Sequence, residues 1–277
     1  MKAISPVIAT VIIVAVAIAI SIAVALWITG MTSSFTGVEK LEVVNAYATV
    51  GTDVNGNNYW LVYEVVKNTG TKTAKIDQIF INNKPGSITN VYADNVAISS
   101  IGKTLDPGKQ TTIVFLLTST GNPINGVKTE TRSDPDPTTD YPYISKYPSL
   151  VIDEPGKTVT VSVTVDEGGS GLTSVIVQVE DENGNSVDTA TLNIDSQTGT
   201  GTTTLDLSLP STIGSYTWTI KVIDVNNPNT VYDNVQFTVV VAPVNPIVTD
   251  TFSSGQTVSI VIHTASGGQY PATVTLP

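Results

Sequence analysis

The chain has 277 residues, 41% of them hydrophobic, which is enough to build real cores and excludes a wholly disordered polymer. It has no cysteine, so disulfide frameworks and thiolate metal sites are excluded, and its net charge of −11 opposes nucleic-acid binding, which needs clustered Lys and Arg. The single histidine, His263, sits among Ile260, Val261 and Ile262 as a strand residue would. Spacing singles out no carboxylate pair either, so the chain is expected to be neither an enzyme nor a carrier of a cofactor.

The N-terminus carries the strongest signal. No charged residue occurs between Lys2 and Glu39, and from Val7 to Ile28 only Thr10 and Ser21 interrupt an apolar run. A helix over this stretch would be roughly 45 Å long, with an apolar part about as long as a bilayer is thick. It is apolar on every face, so it must be sheltered in lipid or among other helices. Pro6 suits a first helical turn. Ala9, Ala15, Ala17, Ala19, Ala23 and Ala25 alternate with larger residues and would let neighbouring helices approach closely.

Three readings of this segment are open. As a secretory signal it would be cut after Ala23-Val24-Ala25 and discarded, although apolar Leu26-Trp27-Ile28 would then begin the mature chain. As a plain membrane anchor it would place Lys2 inside and Trp27 at the outer interface. The third reading rests on a likeness: Lys2-Ala3-Ile4-Ser5-Pro6-Val7-Ile8-Ala9-Thr10, the apolar run and Leu26-Trp27-Ile28-Thr29-Gly30 resemble the N-terminus of archaeal type IV pilins of the crenarchaeal kind, which are related to archaellins. That resemblance covers roughly the first 37 residues. It implies removal of a leader, residues 1–3, by a prepilin peptidase cutting between Ala3 and Ile4. It also implies a filament-core helix and hinge over 4–37 that is exported by membrane assembly machinery. Core positions would include Pro6, Val7, Ile8, Ile12, Ile13, Val16, Ile20, Val24 and Trp27, with Gly30 and Gly37 as hinge residues.

Beyond Gly37 the pattern changes to alternating strands punctuated by Gly, Pro, Asn and Asp. The expected fold is a long hydrophobic α-helix followed by two antiparallel β-sandwiches of immunoglobulin-like type. Strands are read near 40–50, 58–67, 74–82, 88–98, 110–118 and 124–131, giving a first sandwich over 38–132. Asn55-Gly56 is expected to close a tight hairpin with both residues at positive φ. Residues 133–147, rich in Pro and Asp, read as the linker to a second sandwich over 148–242. The last piece, 243–277, has too few strands for a core of its own and is expected to pack on one sandwich or the other. Thr104, Leu105, Gly108, Ile113, Val114 and Gly121 stand in constant step with Thr251, Phe252, Gly255, Ile260, Val261 and Gly268, suggesting one hairpin design used twice.

Oxygen side chains alternate in Asp181-Glu182-Asn183-Gly184-Asn185, which makes Asp181, Asn183 and Asn185 weak calcium candidates, equally well explained as a hairpin turn. The expected function is the structural subunit of an extracellular pilus-like filament, inserted in the membrane before assembly. Its partners would be copies of itself, with a host or neighbouring cell surface as a further contact. A motility filament subunit and an anchored or secreted immunoglobulin-like binding protein are the alternatives.

Overall fold

The computed structural model describes residues 6–100 and 102–277, apart from the side chains of 32–36. Helix α1, Pro6–Thr36, is unbroken. Inside it the hydroxyls of Thr10, Ser21 and Thr29 donate to the carbonyls of Val7, Ala17 and Ala25 at 2.9, 2.7 and 2.7 Å. The helix thus satisfies these polar groups itself and needs no water to do so.

An all-β region follows. Strands β1 (Leu41–Thr52) and β2 (Asn58–Asn68) pair antiparallel, with a bulge between Val43 and Asn45. Their loop departs from expectation, since Gly56 takes a positive φ of 83° and Asn55 does not. Asp53 closes it instead, its carboxylate accepting from the backbone N–H groups of Asn55 and Asn57 at 2.9 and 2.8 Å. Strand β3 (Ala74–Ile81) turns into β4 (Lys84–Pro85) through Asn82 and Asn83, at φ 49° and 65°. Residues 88–98, expected as one strand, form a short 3-10 turn (Ile88–Asn90), then β5 (Val91–Ala93) and β6 (Val96–Ala97). Asp94 and Asn95, at φ 52° and 68°, break the strand, because Asn and Asp tolerate the left-handed region that this tight turn needs. Strands β7 (Lys103–Leu105) and β8 (Gln110–Thr118) follow.

The next eight strands are β9 (Gly126–Thr131), β10 (Tyr143–Asp153), β11 (Thr158–Asp166), β12 (Ser174–Glu180), β13 (Ser186–Asn193), β14 (Thr200–Ser208), β15 (Gly214–Asp224) and β16 (Val231–Val241). They form one sheet in the order β13-β12-β15-β16-β10-β11-β14, with β9 paired to β10. Strand β10 folds the sheet over on itself, pairing β11 at residues 143–146 and running parallel to β16 at residues 150–153. Trp218, Phe237 and the Val and Leu residues of the inner faces fill the space between. Residues 126–131, expected in the first sandwich, therefore belong to the second. The Pro- and Asp-rich stretch joins two strands of this one sheet, and β10 begins at Tyr143, inside the expected linker. Several contacts hold it there: Arg132 is ion-paired to Asp233 and donates through Nε to the Ile144 carbonyl at 2.7 Å, and Tyr141 stacks on Tyr232 at 5.8 Å.

The chain then returns to the first sandwich. Strand β17 (Pro246–Thr251) runs parallel to β8, and β18 (Thr257–Thr264) pairs antiparallel with β3 and with β19 (Gln269–Thr275). The first sandwich thus has one sheet ordered β1-β2-β8-β5-β6, with β17 on β8, and another ordered β19-β18-β3-β4, with β7 on β3. Ile247, Phe252, Val258, Ile260, Ile262 and Leu276 share its core with Trp60, Phe115 and Ile76, and the Trp60 indole N–H donates to the carbonyl of Pro277 at 3.0 Å. The second sandwich is inserted between β8 and β17. Its two chain crossings lie side by side, the Ile124 N–H donating to the Val244 carbonyl at 3.0 Å.

The stepped echo between 104–121 and 251–268 is an arch rather than a hairpin. Each copy crosses between the two sheets, β7 to β8 in one direction and β17 to β18 in the other. Both turn at a positive-φ glycine, Gly108 at 77° and Gly255 at 80°. Leu105 and Phe252 plug the core at equivalent points.

Candidate functional site

Every expected filament-core position from Pro6 to Trp27 lies on α1. Their side chains are exposed all round the helix, with Val7, Ile13 and Trp27 at 69%, 67% and 65%. Ile8, Ile12, Val16, Ile20 and Val24 are likewise uncovered. No residue of the sandwiches shelters the segment Pro6–Met31, which is long and apolar enough to cross a membrane. Ala3 and Ile4 lie outside the described residues.

The connection between helix and sandwich is more constrained than a glycine hinge. Gly30 lies inside α1, because a single glycine in a helix costs about 1 kcal/mol relative to alanine and does not by itself end one. Gly37 follows the last helical residue, and a Cβ there would fall 2.3 Å from the Lys72 side chain. Beyond it the chain is pinned. Val38 donates to Thr71 Oγ1 at 2.9 Å and accepts from the Thr71 N–H at 2.8 Å, while the Lys40 carbonyl accepts from the Thr69 and Gly70 N–H groups at 2.8 and 3.1 Å. On the other side, the Ser266 hydroxyl donates to Glu39 at 2.6 Å. Residues 38–40 thus form a hydrogen-bonded mount at the base of β1.

Gly70 is what lets the two segments close up, since a Cβ there would sit 2.3 Å from the Val38 carbonyl oxygen and 2.6 Å from the Lys40 nitrogen. Gly70→Ala is therefore expected to lower the stability of the first sandwich by about 1–3 kcal/mol. It should also raise protease cleavage between Thr36 and Leu41. Thermal unfolding and limited proteolysis would check both effects.

Both Asp-x-Asn-Gly-Asn loops have the same geometry. Asp181 Oδ1 accepts from the N–H groups of Asn183 and Asn185 at 2.8 Å each, Oδ2 accepts from the Asn185 amide at 3.0 Å, and Gly184 takes a φ of 81°. These bonds hold the Asp181 carboxyl below the usual range, the Asn185 side-chain amide foremost. The three calcium candidates are thus drawn into one turn by N–H donors aimed at the carboxylate.

No family model matches this chain, and no curated protein matches it. Among solved structures it is similar to the CARDB domain of a Pyrococcus furiosus protein in complex with di-metal ions, at 21% identity over 39% of this chain and 100% of that one, with a TM-score of 0.27. It is also similar to β-glucuronidases from Bifidobacterium dentium (11% identity, 71% of this chain, 39% of that one, TM-score 0.24) and Ruminococcus gnavus (12%, 66%, 36%, 0.21). The chain spans well under half the length of either glucuronidase. Scores this low carry no argument about activity.

Two features of β2 were not singled out from the sequence. Trp60, Val62, Glu64 and Val66 alternate into the first core, and Glu64 is fully buried with neither carboxylate oxygen hydrogen-bonded to a described residue. Tyr59, Leu61 and Tyr63 point the opposite way, toward the second sandwich. Reading residues 58–67 as a strand buried on both faces would have found both sets.

Proposed function

We propose that this chain is the structural subunit of an extracellular type IV pilus-like filament, polymerised by packing its N-terminal helix against those of identical copies. One observation carries the reading: the segment Pro6–Met31 of α1, apolar around its whole circumference, is left uncovered by the rest of the chain. Such a surface must be sheltered elsewhere. Lipid serves before assembly and a helix bundle after it, so the transfer between them costs little hydrophobic free energy. Small residues along the helix allow close packing, and its satisfied hydroxyls remove the need for water in either place. The pinned mount at 38–40 fits a subunit whose sandwiches are held in a fixed relation to their stalk, as a regular head-to-tail polymer requires.

Val16→Asp tests this. The side chain is exposed in the single chain, so folding of the sandwiches should be unchanged. A carboxylate inside an apolar bundle costs a few kcal/mol per copy. Fibres should therefore vanish from electron micrographs while both sandwiches keep their melting transitions; fibres of normal abundance would count against the proposal.

The same helix also supports a second reading, a single-span anchor carrying a binding module, because it is long enough to cross a bilayer alone. Mass-spectrometric reading of the native N-terminus separates the two. Ile4 supports the filament subunit, and Met1 supports the anchor.

A further inference from the structure

Between the two sandwiches lies a cleft of about 630 Å³, within the range of ligand pockets and at the kind of place, a junction of two folded units, where they concentrate. Its base is a dry seam in which Leu61, Leu116, Ile124, Ile152, Val240 and Val244 are buried against one another. Above that seam the cleft is open, and Tyr63 enters its lining beside the buried Tyr59.

The floor follows from strand register. Tyr47 faces Tyr63, Thr49 faces Leu61 and Gly51 faces Tyr59 across the β1–β2 ladder, so these residues tile one outward face. Tyr47 and Tyr63 stack with centroids 4.9 Å apart and planes 8° from parallel. Gly51 belongs to the design, since a Cβ there would fall 2.4 Å from the Tyr59 hydroxyl. Burial pushes that phenol up to about 12, so it stays protonated as a donor.

The facing wall carries Lys128 and Glu130, opposite charges 3.8 Å apart, and on the floor side the Asp53 carboxylate accepts from N–H groups of its own loop. Ser215 and Thr238 bring hydroxyl-bearing side chains to the cleft lining.

We propose that this cleft binds a neutral oligosaccharide. The stacked Tyr47–Tyr63 pair offers flat apolar surface for the C–H faces of sugar rings, and the lining hydroxyls offer donors and acceptors for the sugar hydroxyls. An acidic ligand would meet no unpaired cation here. A peptide added as a strand would bind along the outer edge of β1, which ends its sheet, and not on the face that carries the tyrosines. The inference concerns the outer sandwiches and is independent of polymerisation.

The test is binding of the full chain, held in detergent micelles, to a printed array of neutral and acidic oligosaccharides. The variants are Tyr63→Ala, which removes a floor ring, and Thr238→Trp, which fills the cleft from the opposite wall. Expected is binding to neutral glycans that weakens about tenfold or more in each variant, with the melting temperature kept. No binding to any neutral glycan would overturn the proposal. So would binding that both variants leave unchanged, or binding confined to acidic glycans or to an unfolded-peptide control.

Discussion

Glu64→Gln is expected to raise the stability of the first sandwich at pH 8 and above by several kcal/mol and to abolish most of its pH dependence. Glu64 lies mid-strand opposite Ala46 on one side and Ile113 on the other, with Val62 and Val66 beside it in the same core. It is fully buried and neither oxygen has a hydrogen-bond partner among the described residues. Burial is the sole cause that lifts its carboxyl from an ordinary 4.5 to about 8. The unfolded chain releases the proton near 4.5 while the folded chain keeps it up to about 8, so between those values the native state binds more protons. Stability is thus highest at and below about pH 4.5, falls as pH rises toward 8 and levels off above it. Over that span, at about 1.4 kcal/mol per pH unit, the loss is on the order of 5 kcal/mol. Gln cannot ionise, so the variant should match the parent in acid and exceed it in alkali. Denaturant unfolding from pH 4 to 9 measures the difference, and equal slopes in both proteins would refute this account of Glu64.

Replacing residues 126–242 with a short Gly/Ser linker should leave the first sandwich folded. Truncation after Asn245 should destroy it. The excision is tolerated because the crossings are already joined by the Ile124–Val244 hydrogen bond, and the first core draws no side chain from the excised residues. Its cost is exposure of the seam residues Tyr59, Leu61 and Leu116. The truncation removes three strands and, from the core, Ile247, Val248, Phe252, Val258, Ile260, Ile262, Val274 and Leu276. Each large aliphatic lost costs about 2–5 kcal/mol, and together they exceed the roughly 5–15 kcal/mol that holds a domain. Calorimetry of the two deletions would show one surviving transition in each case. It should be that of the first sandwich after excision and that of the second after truncation.

The sequence showed its local signals and hid its long-range ones. Helix α1 was legible because an uncharged run of that length has few other fates, and the strands were legible where alternation and turn residues coincided. The turn at Asp94-Asn95 was missed because it lacks glycine, although both residues tolerate positive φ. The assignment of β9 to the second sheet depends on pairing across a loop whose Pro and Asp content marks an irregular stretch and not what it joins. The return of β17 and β18 was hidden for the same reason, since β17–β8 and β18–β3 pairings span the entire inserted sandwich. The constant step between Leu105-Gly108 and Phe252-Gly255 was the clue, because two equivalent arches belong in one sandwich. At the helix end, the pinning of Val38 and Lys40 by residues 69–71 lay in contacts that no local pattern announces.

Electron microscopy of surface fibres, with mass spectrometry of their protein, tests the central claim most directly. The account predicts fibres made of this chain, starting at Ile4, with the apolar helices bundled along the axis and the sandwiches outside. A chain recovered only as single copies in the membrane, or beginning at Leu26 with most of the helix removed, would contradict it.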